Sequence, residues 1–305
     1  MNRAVKSSAV HAIAAVWVAA VFVTASVNMI APYVLAHPAP AQPAPGELEL
    51  QGSYFAATLS QSSPLVLAHQ GNFFVGGTIQ WRDPKSSPQT DPRFPAGEIA
   101  VNQMYVEYQI PVDQRYRYPV ILVHGGGHSG MIWQTTPDGR EGWYTSLARR
   151  GFSSFVVDAP NRGRSGYDPT QIYRVREGLD DPSTLPEGNT YARHGAWEAF
   201  RIGPAYPTQY PDQQSPVEFF DEYVRQFVPA YRAADQNERI VDGLVALIDK
   251  LGPCILVGWS TGVLNSLDAA AQRPTLVKGV VGIESAAIVG FEHPERLAAV
   301  PVAML

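Results

Sequence analysis

The sequence predicts an α/β fold, a mostly parallel sheet with helices on both faces, and three observations carry the prediction. Short, almost wholly apolar runs recur at Val120–Val123, 154–157, 254–258 and Val277–Ile283, and another begins at 301. Runs of this length without alternation mark strands buried on both faces. Between them lie segments with helical spacing, clearest at 237–251 (NERIVDGLVALIDKL), which stops at Gly252-Pro253. The chain of 305 residues is 45% hydrophobic and 17% charged. That is long enough and apolar enough for one large core and argues against disorder as the main state.

The N-terminus is a different material. Arg3 and Lys6 precede a run, 9–35, that is almost free of charge. A cationic start followed by an apolar stretch is the pattern of a secretory leader, with Val34-Leu35-Ala36 and Ala39-Pro40-Ala41 as candidate cleavage sites. The alternative is an uncleaved anchor helix, since about 20 apolar residues span a bilayer. The sequence therefore divides into 1–36 (signal peptide or N-terminal anchor), 37–46 (Pro/Ala linker) and 47–305 (folded domain). Both readings place the folded part outside the cytoplasm, secreted or periplasmic, and a membrane is a partner only if the leader stays as an anchor.

Within the domain, 47–59 and 72–80 read as strands, with Gly76-Gly77 as a bulge or turn. Residues 82–97 are loop. The alternation over 100–110 (AVNQMYVEYQI) fits a half-exposed strand. Residues 141–150 fit a helix stopped by Gly151, and the strand at 154–157 ends at Asp158. The stretch 159–235 has little periodicity and many Pro, Tyr and Arg, with helices expected near 192–201 and 216–228. A long irregular insertion in a compact domain is usually functional, and about 163–236 reads as a lid between the strand at 154–158 and the helix at 237–251. A helix over 261–272 ends before Pro274.

Composition narrows the function classes. A formal net charge of −5 without a basic patch argues against nucleic acid. The single cysteine, Cys254, excludes a disulfide framework within the chain and a cysteine-cluster metal site, and its place in a buried run makes it an inert small hydrophobe. No metal-ligand spacing or phosphate loop is present, so neither metal nor cofactor is expected.

Candidate chemistry centres on Gly258-Trp259-Ser260-Thr261-Gly262, a G-x-S-x-G that follows a buried strand and opens a helix. This strand–turn–helix context is what a nucleophile elbow requires, and the helix N-terminus favours developing negative charge. A helix N-cap serine is the alternative, although an N-cap needs no flanking glycines. After the run Val120–Val123 comes His124-Gly125-Gly126-Gly127-His128. Backbone amides of such a loop, with the amide after the nucleophile, can bind an oxyanion. Gly126 is the first candidate, Gly127 the second, and Thr261 supplies the other amide. His124 reads as a residue that shapes the loop. Glu284 stands at the end of the strand next to the elbow strand, among small and apolar neighbours that suit a buried carboxylate. Asp158, at another strand end, is its rival, although the following NRGRSG suggests a structural cap with Arg162 and Arg164 holding the loop. Asp268 lies too far into its helix, and Glu292 and Glu295 look solvated. Trp259 either lines an acyl pocket or packs beneath the elbow. Tyr167, Tyr173, Tyr191, Tyr206 and Tyr210 either contact substrate or pack the lid.

On these elements the chain resembles the α/β-hydrolase family over about 98–305. The stretches HGGGHSGMIWQTTPDGREGW (124–143), VVDAPNRGRSGYD (156–168) and HGAWEAFRIGPAYP (194–207) are similar to a group of secreted bacterial esterases. That resemblance implies a Ser–Glu–His triad, with Ser260 and Glu284 at the first two positions. Two adjacent cysteines often follow the first His-Gly of that group, where this chain has Gly126 and Gly127. The group's histidine follows the last strand. Of seven histidines only His293 lies past Glu284, in the loop FEHPE, so the fold is expected to be C-terminally incomplete, with the base beyond residue 305 and little turnover by 1–305 alone. The expected activity is an exported carboxylic-ester hydrolase that forms an acyl-enzyme on Ser260. The alternatives are an amidase or peptidase using the same machinery, or a non-catalytic binding protein on the same fold.

Overall fold

The computed structural model describes residues 63–82, 96–285 and 291–305. The leader, the linker, the strand expected at 47–59 and most of the loop at 82–97 lie outside the described residues. A seven-stranded sheet forms the frame, in the order β1-β2-β4-β3-β7-β8-β9. β1 (Leu67–Arg82) and β2 (Gly97–Pro111) form an antiparallel pair, and β2 runs antiparallel to β4 (Ser154–Asp158). β3 (Val120–Val123), β4, β7 (Cys254–Trp259), β8 (Val277–Ile283) and β9 (Val302–Met304) are parallel to one another.

The apolar runs are strands whose alternate residues enter two different cores. Ile121 and Val123 of β3, and Phe155 and Val157 of β4, face one layer, with Cys254 and Leu256 of β7. Val120, Leu122, Val156 and Val257 face the other, against Trp133 and Tyr144. The first layer is closed by α5 (Gln236–Leu251) and α6 (Thr261–Gln272), which bury Leu244, Leu247, Ile248, Val263 and Leu267 there. The second is covered by α1 (Trp143–Arg149), which ends as predicted before Gly151 at φ 91°. Two buried faces are why no polar alternation survives in these runs. Cys254 is buried, and burial pushes its thiol up to about 12, which fits an inert role.

β1 is longer than the strand expected at 72–80, because β2 is 15 residues long and pairs with it along its whole length. At Gly76-Gly77 the chain neither turns nor slips: Gly76 pairs with Gln103 and Thr78 with Val101, while Gly77 takes φ 73° and Asn102 φ 61°. A Cβ on Gly77 would sit 2.6 Å from the Val101 carbonyl oxygen, so glycine is required where the two backbones touch.

The insertion between β4 and α5 carries α2 (Thr170–Arg176), β5 (Glu187–Asn189), α3 (Arg193–Ala199), α4 (Phe220–Arg225) and β6 (Ala230–Arg232). β5 and β6 form an antiparallel two-stranded sheet. Ala196, Trp197, Ile202, Phe220 and Phe227 give the insertion its own core. The helix expected over 216–228 is reduced to one 3₁₀ turn, Val217–Phe219, followed by α4. Among the described residues no helix is long and apolar enough to cross a membrane.

The start of the insertion is tied down by Asp158, which is fully buried. Its Oδ1 accepts from the Gly130 amide at 2.7 Å, and its Oδ2 accepts from the backbone N–H and Nε of Arg164 at 2.8 and 2.9 Å. Burial alone would raise its pKa, but the Arg164 hydrogen bonds outweigh burial and hold it below the ordinary 3.8. A depressed carboxylate contributes stability above its unfolded value that is lost as pH falls through the folded one. Asp158→Asn is expected to cost about 1–3 kcal/mol at pH 7 in urea unfolding. The gap between variant and parent should narrow as the pH is lowered below about 3.8.

Candidate active site

Ser260 sits in the turn between β7 and α6 with φ 53° and ψ −124°. It holds the N-cap position of α6, but its side chain makes no capping hydrogen bond, so capping does not account for the serine. The turn is held by backbone: the Ser260 amide donates to the Ile283 carbonyl at 3.0 Å, and the Val263 amide donates to the Ser260 carbonyl at 3.0 Å. Three glycines make the approach possible. A Cβ on Gly258 would lie 2.6 Å from the Gly262 carbonyl oxygen, one on Gly262 would lie 2.5 Å from the His124 oxygen, and one on Gly125 would lie 2.9 Å from the Ser260 Cβ.

The loop after β3 is braced by its histidines. His124 is buried; its Nε2 accepts from the Ala159 amide at 3.0 Å, so Nδ1 carries the proton and donates to the Gly125 carbonyl at 2.8 Å. Burial, then the charge of Arg162, pushes its pKa down to about 4. Both ring nitrogens are thus spent on the loop, as expected of a shaping residue, and Arg162 Nη1 donates to the same Gly125 carbonyl at 3.2 Å. His128, wholly buried and shifted down by burial, holds the Gly126 carbonyl through Nδ1 at 2.8 Å, with the Trp259 ring 5.1 Å away. A Cβ on Gly126 would meet only Thr261 Oγ1, at 3.8 Å. Thr261 opens α6, so its N–H has no intrahelical acceptor. Gly127, at φ 68°, instead lies under Tyr191, whose ring would be 2.4 Å from a Cβ there. Gly126 and Thr261 are therefore brought together beside Ser260, and Gly127 faces the insertion.

Glu284 ends β8 at φ 48°. Its amide donates to the Leu305 carbonyl at 3.1 Å, and its Oε2 accepts from Trp259 Nε1 at 3.4 Å. The expectation of a buried carboxylate is corrected: Glu284 is exposed and borders a cavity. Asp158 is committed to Gly130 and Arg164, which removes it as a rival. Asp268 lies inside α6 with its pKa raised by burial, and Glu292 and Glu295 are exposed.

Ser260 and Glu284 share a cavity of about 460 Å³. Its other walls mix apolar residues, Phe200, Ile202, Phe220, Tyr223 and Trp259, with the polar Arg201 and Ser215. Trp259 fills both of its alternatives: it lines the cavity and packs on the layer beneath. None of the five tyrosines named from sequence lines it. Tyr206 packs on Trp197 at 5.2 Å and Tyr191 on Phe200 at 5.4 Å, whereas Tyr223, overlooked in sequence, lies in the wall with its pKa raised by burial and, to a smaller degree, by Tyr191 and Glu284. Nothing distinguishes Tyr223 from the other insertion tyrosines in the sequence; its position depends on how α4 folds back. Among the described residues no histidine lines the cavity. His293 is exposed and lies 3.5 Å from Glu295, beside a separate depression shared with Asp268. Among the described residues no cluster suits a metal ion.

Ser260 and Glu284 thus stand in the wall of one cavity, while Gly126 and Thr261 line a second one of about 310 Å³. No family model matches the chain. A probable secreted lipase, phiG, from Fungal sp. (strain ATCC 74256) is 32% identical over 187 residues, 60% of this chain and 49% of that protein. The chain thus spans about half the length of that relative. A solved bacterial esterase is 35% identical with a TM-score of 0.72, over 80% of this chain and 76% of its own.

The glycine contacts give a direct test of the turn. Gly262→Ala drives a Cβ into the His124 and Val123 carbonyls, both backbone atoms that cannot move aside. It is expected to cost about 1–3 kcal/mol or more in thermal or urea unfolding, while Gly166→Ala, with open space but φ 70°, costs only its backbone strain.

Proposed function

The chain belongs to the α/β-hydrolase family, and from that premise we propose that it is an exported carboxylic-ester hydrolase that works through an acyl-enzyme on Ser260. The observation that carries the reading is the strained Ser260 turn, which opens onto the cavity that Glu284 shares, with Gly126 close to Thr261 at the start of α6. In this reading Ser260 Oγ attacks the acyl carbonyl. The carbonyl oxygen takes the developing charge and is held by the amides of Gly126 and Thr261, with Gly127 as the second loop candidate. Collapse of the tetrahedral adduct expels the alcohol and leaves the acyl group on Ser260, and water then releases the acid. The apolar walls, Trp259 included, take the hydrocarbon of the substrate. The proton is moved by a histidine from outside the described residues, and Glu284 orients its ring and stabilises the imidazolium. The names of the two relatives, a secreted lipase and an esterase, support ester chemistry, and the first supports export.

Fluorophosphonate is expected to label full-length protein and to fail with Ser260→Ala. Ester turnover should drop by several orders of magnitude in that variant, and by about 10³–10⁴ in Glu284→Gln, which keeps the shape and loses the charge. Near-normal turnover in Ser260→Ala would reject the nucleophile. Faster turnover of matched amides than of esters would move the activity to the amidase reading.

For export, sequencing of the mature N-terminus is expected to find a start near His37 or Gln42. Soluble cytoplasmic protein that begins at Met1 would contradict it.

A further inference from the structure

The cavity wall includes one cation among the described residues, Arg201. It stands just past α3, in a position with a specific backbone demand. The Arg201 amide donates to the Glu198 carbonyl at 3.0 Å and the Ile202 amide to the Trp197 carbonyl at 3.0 Å, the two crossed bonds of a Schellman cap. The residue between them must be left-handed, and Arg201 has φ 56°. Glycine is the usual occupant because a Cβ is strained there. The strain is not repaid by a local ion pair. Arg174, Arg193 and Arg225, elsewhere in the insertion, each meet a carboxylate. Arg201 is exposed and makes no side-chain hydrogen bond or ion pair with a described residue. Outliers of this kind cluster at active sites and ligand clamps.

We propose that Arg201 is a specificity-determining residue that receives a carboxylate carried by the substrate. The preferred esters then have an apolar body, matched to Phe200, Phe220, Tyr223 and Trp259, and an anionic end. The inference rests on the ester-hydrolase reading and adds the substrate class. A guanidinium suits a carboxylate because its planar donors form paired, charge-assisted bonds. Glu284, in the same cavity, repels such an anion, so the substrate is oriented with its charged end towards Arg201 and its ester towards Ser260.

The test compares matched pairs on the full-length protein. For a charge on the acyl side, the pair is the p-nitrophenyl monoester of adipate and its methyl-capped neutral form. For a charge on the leaving-group side, it is 4-carboxyphenyl hexanoate and its methyl ester. The expected result is an anion preference of about tenfold or more in kcat/KM in one pair, expressed mainly in KM and weakened by about 0.5 M salt. Arg201→Gly and Arg201→Gln should abolish the preference and Arg201→Lys retain part of it. Arg201→Gly places the favoured residue in the cap, so its Tm should hold or rise, which separates lost recognition from lost folding. No anion preference in either pair overturns the inference. So does a preference that survives Arg201→Gly, or an equal loss on charged and neutral esters in that variant, which would mean that Arg201 serves the fold or Glu284. If no ester is turned over, the ester-hydrolase reading fails by itself. Calorimetry with 6-phenylhexanoate against 6-phenylhexanol then decides the inference, which requires tighter binding of the carboxylate in the parent and equal binding in Arg201→Gly.

Discussion

Ser260 can occupy its turn only because Gly125, Gly258 and Gly262 remove the Cβ atoms that would otherwise fill the same space. The constraint is backbone against backbone: the Gly262 position meets the His124 and Val123 carbonyls, and the Gly258 position meets Gly262 itself. It locks the end of β3, the end of β7 and the start of α6 into one packed junction. The positive φ of Ser260 costs on the order of 1–3 kcal/mol, and the surrounding ladder of β3, β7 and β8 over-determines the conformation.

The loop that faces the turn depends on the same junction and on a few buried polar groups. His124 ties the Gly125 carbonyl to the Ala159 amide at the end of β4, and Asp158 beside it ties Gly130 to Arg164. These residues fix the direction of backbone amides without offering a side chain to the cavity. Burial and then the charge of Arg162 lower the pKa of His124, which keeps the ring neutral and its Nε2 able to accept from the Ala159 amide.

The insertion contributes through its shape. Its core around Trp197, Ile202 and Phe220 brings Phe200 and Tyr223 over Trp259, and the capped end of α3 brings Arg201 to the same wall. Strand ends thus present Trp259, Ser260 and Glu284 to the cavity, and most of its remaining wall comes from a segment with a separate hydrophobic core.

The sequence by itself determined the sheet and the turn. Val120–Val123 and Val277–Ile283 were recognisable as strands because burial on both faces removes polar residues from a run. The Ser260 turn was recognisable because only glycine relieves the crowding it creates. The sequence also pointed to the structural use of Asp158 and to the helices over 141–150 and 261–272. Tertiary structure decided the rest. α2 and the β5–β6 pair are too short to leave a periodic pattern, and α2 and β5 bury no residue. Glu284 carries the local composition of a buried residue, yet it is exposed where β8 ends at a cavity walled largely by residues between 199 and 223. Tyr223 and Arg201 acquire their places for the same reason. Local physics writes strands, turns and caps into the sequence, but contacts between segments distant in the chain depend on how those segments pack, and no residue pattern within either segment records it.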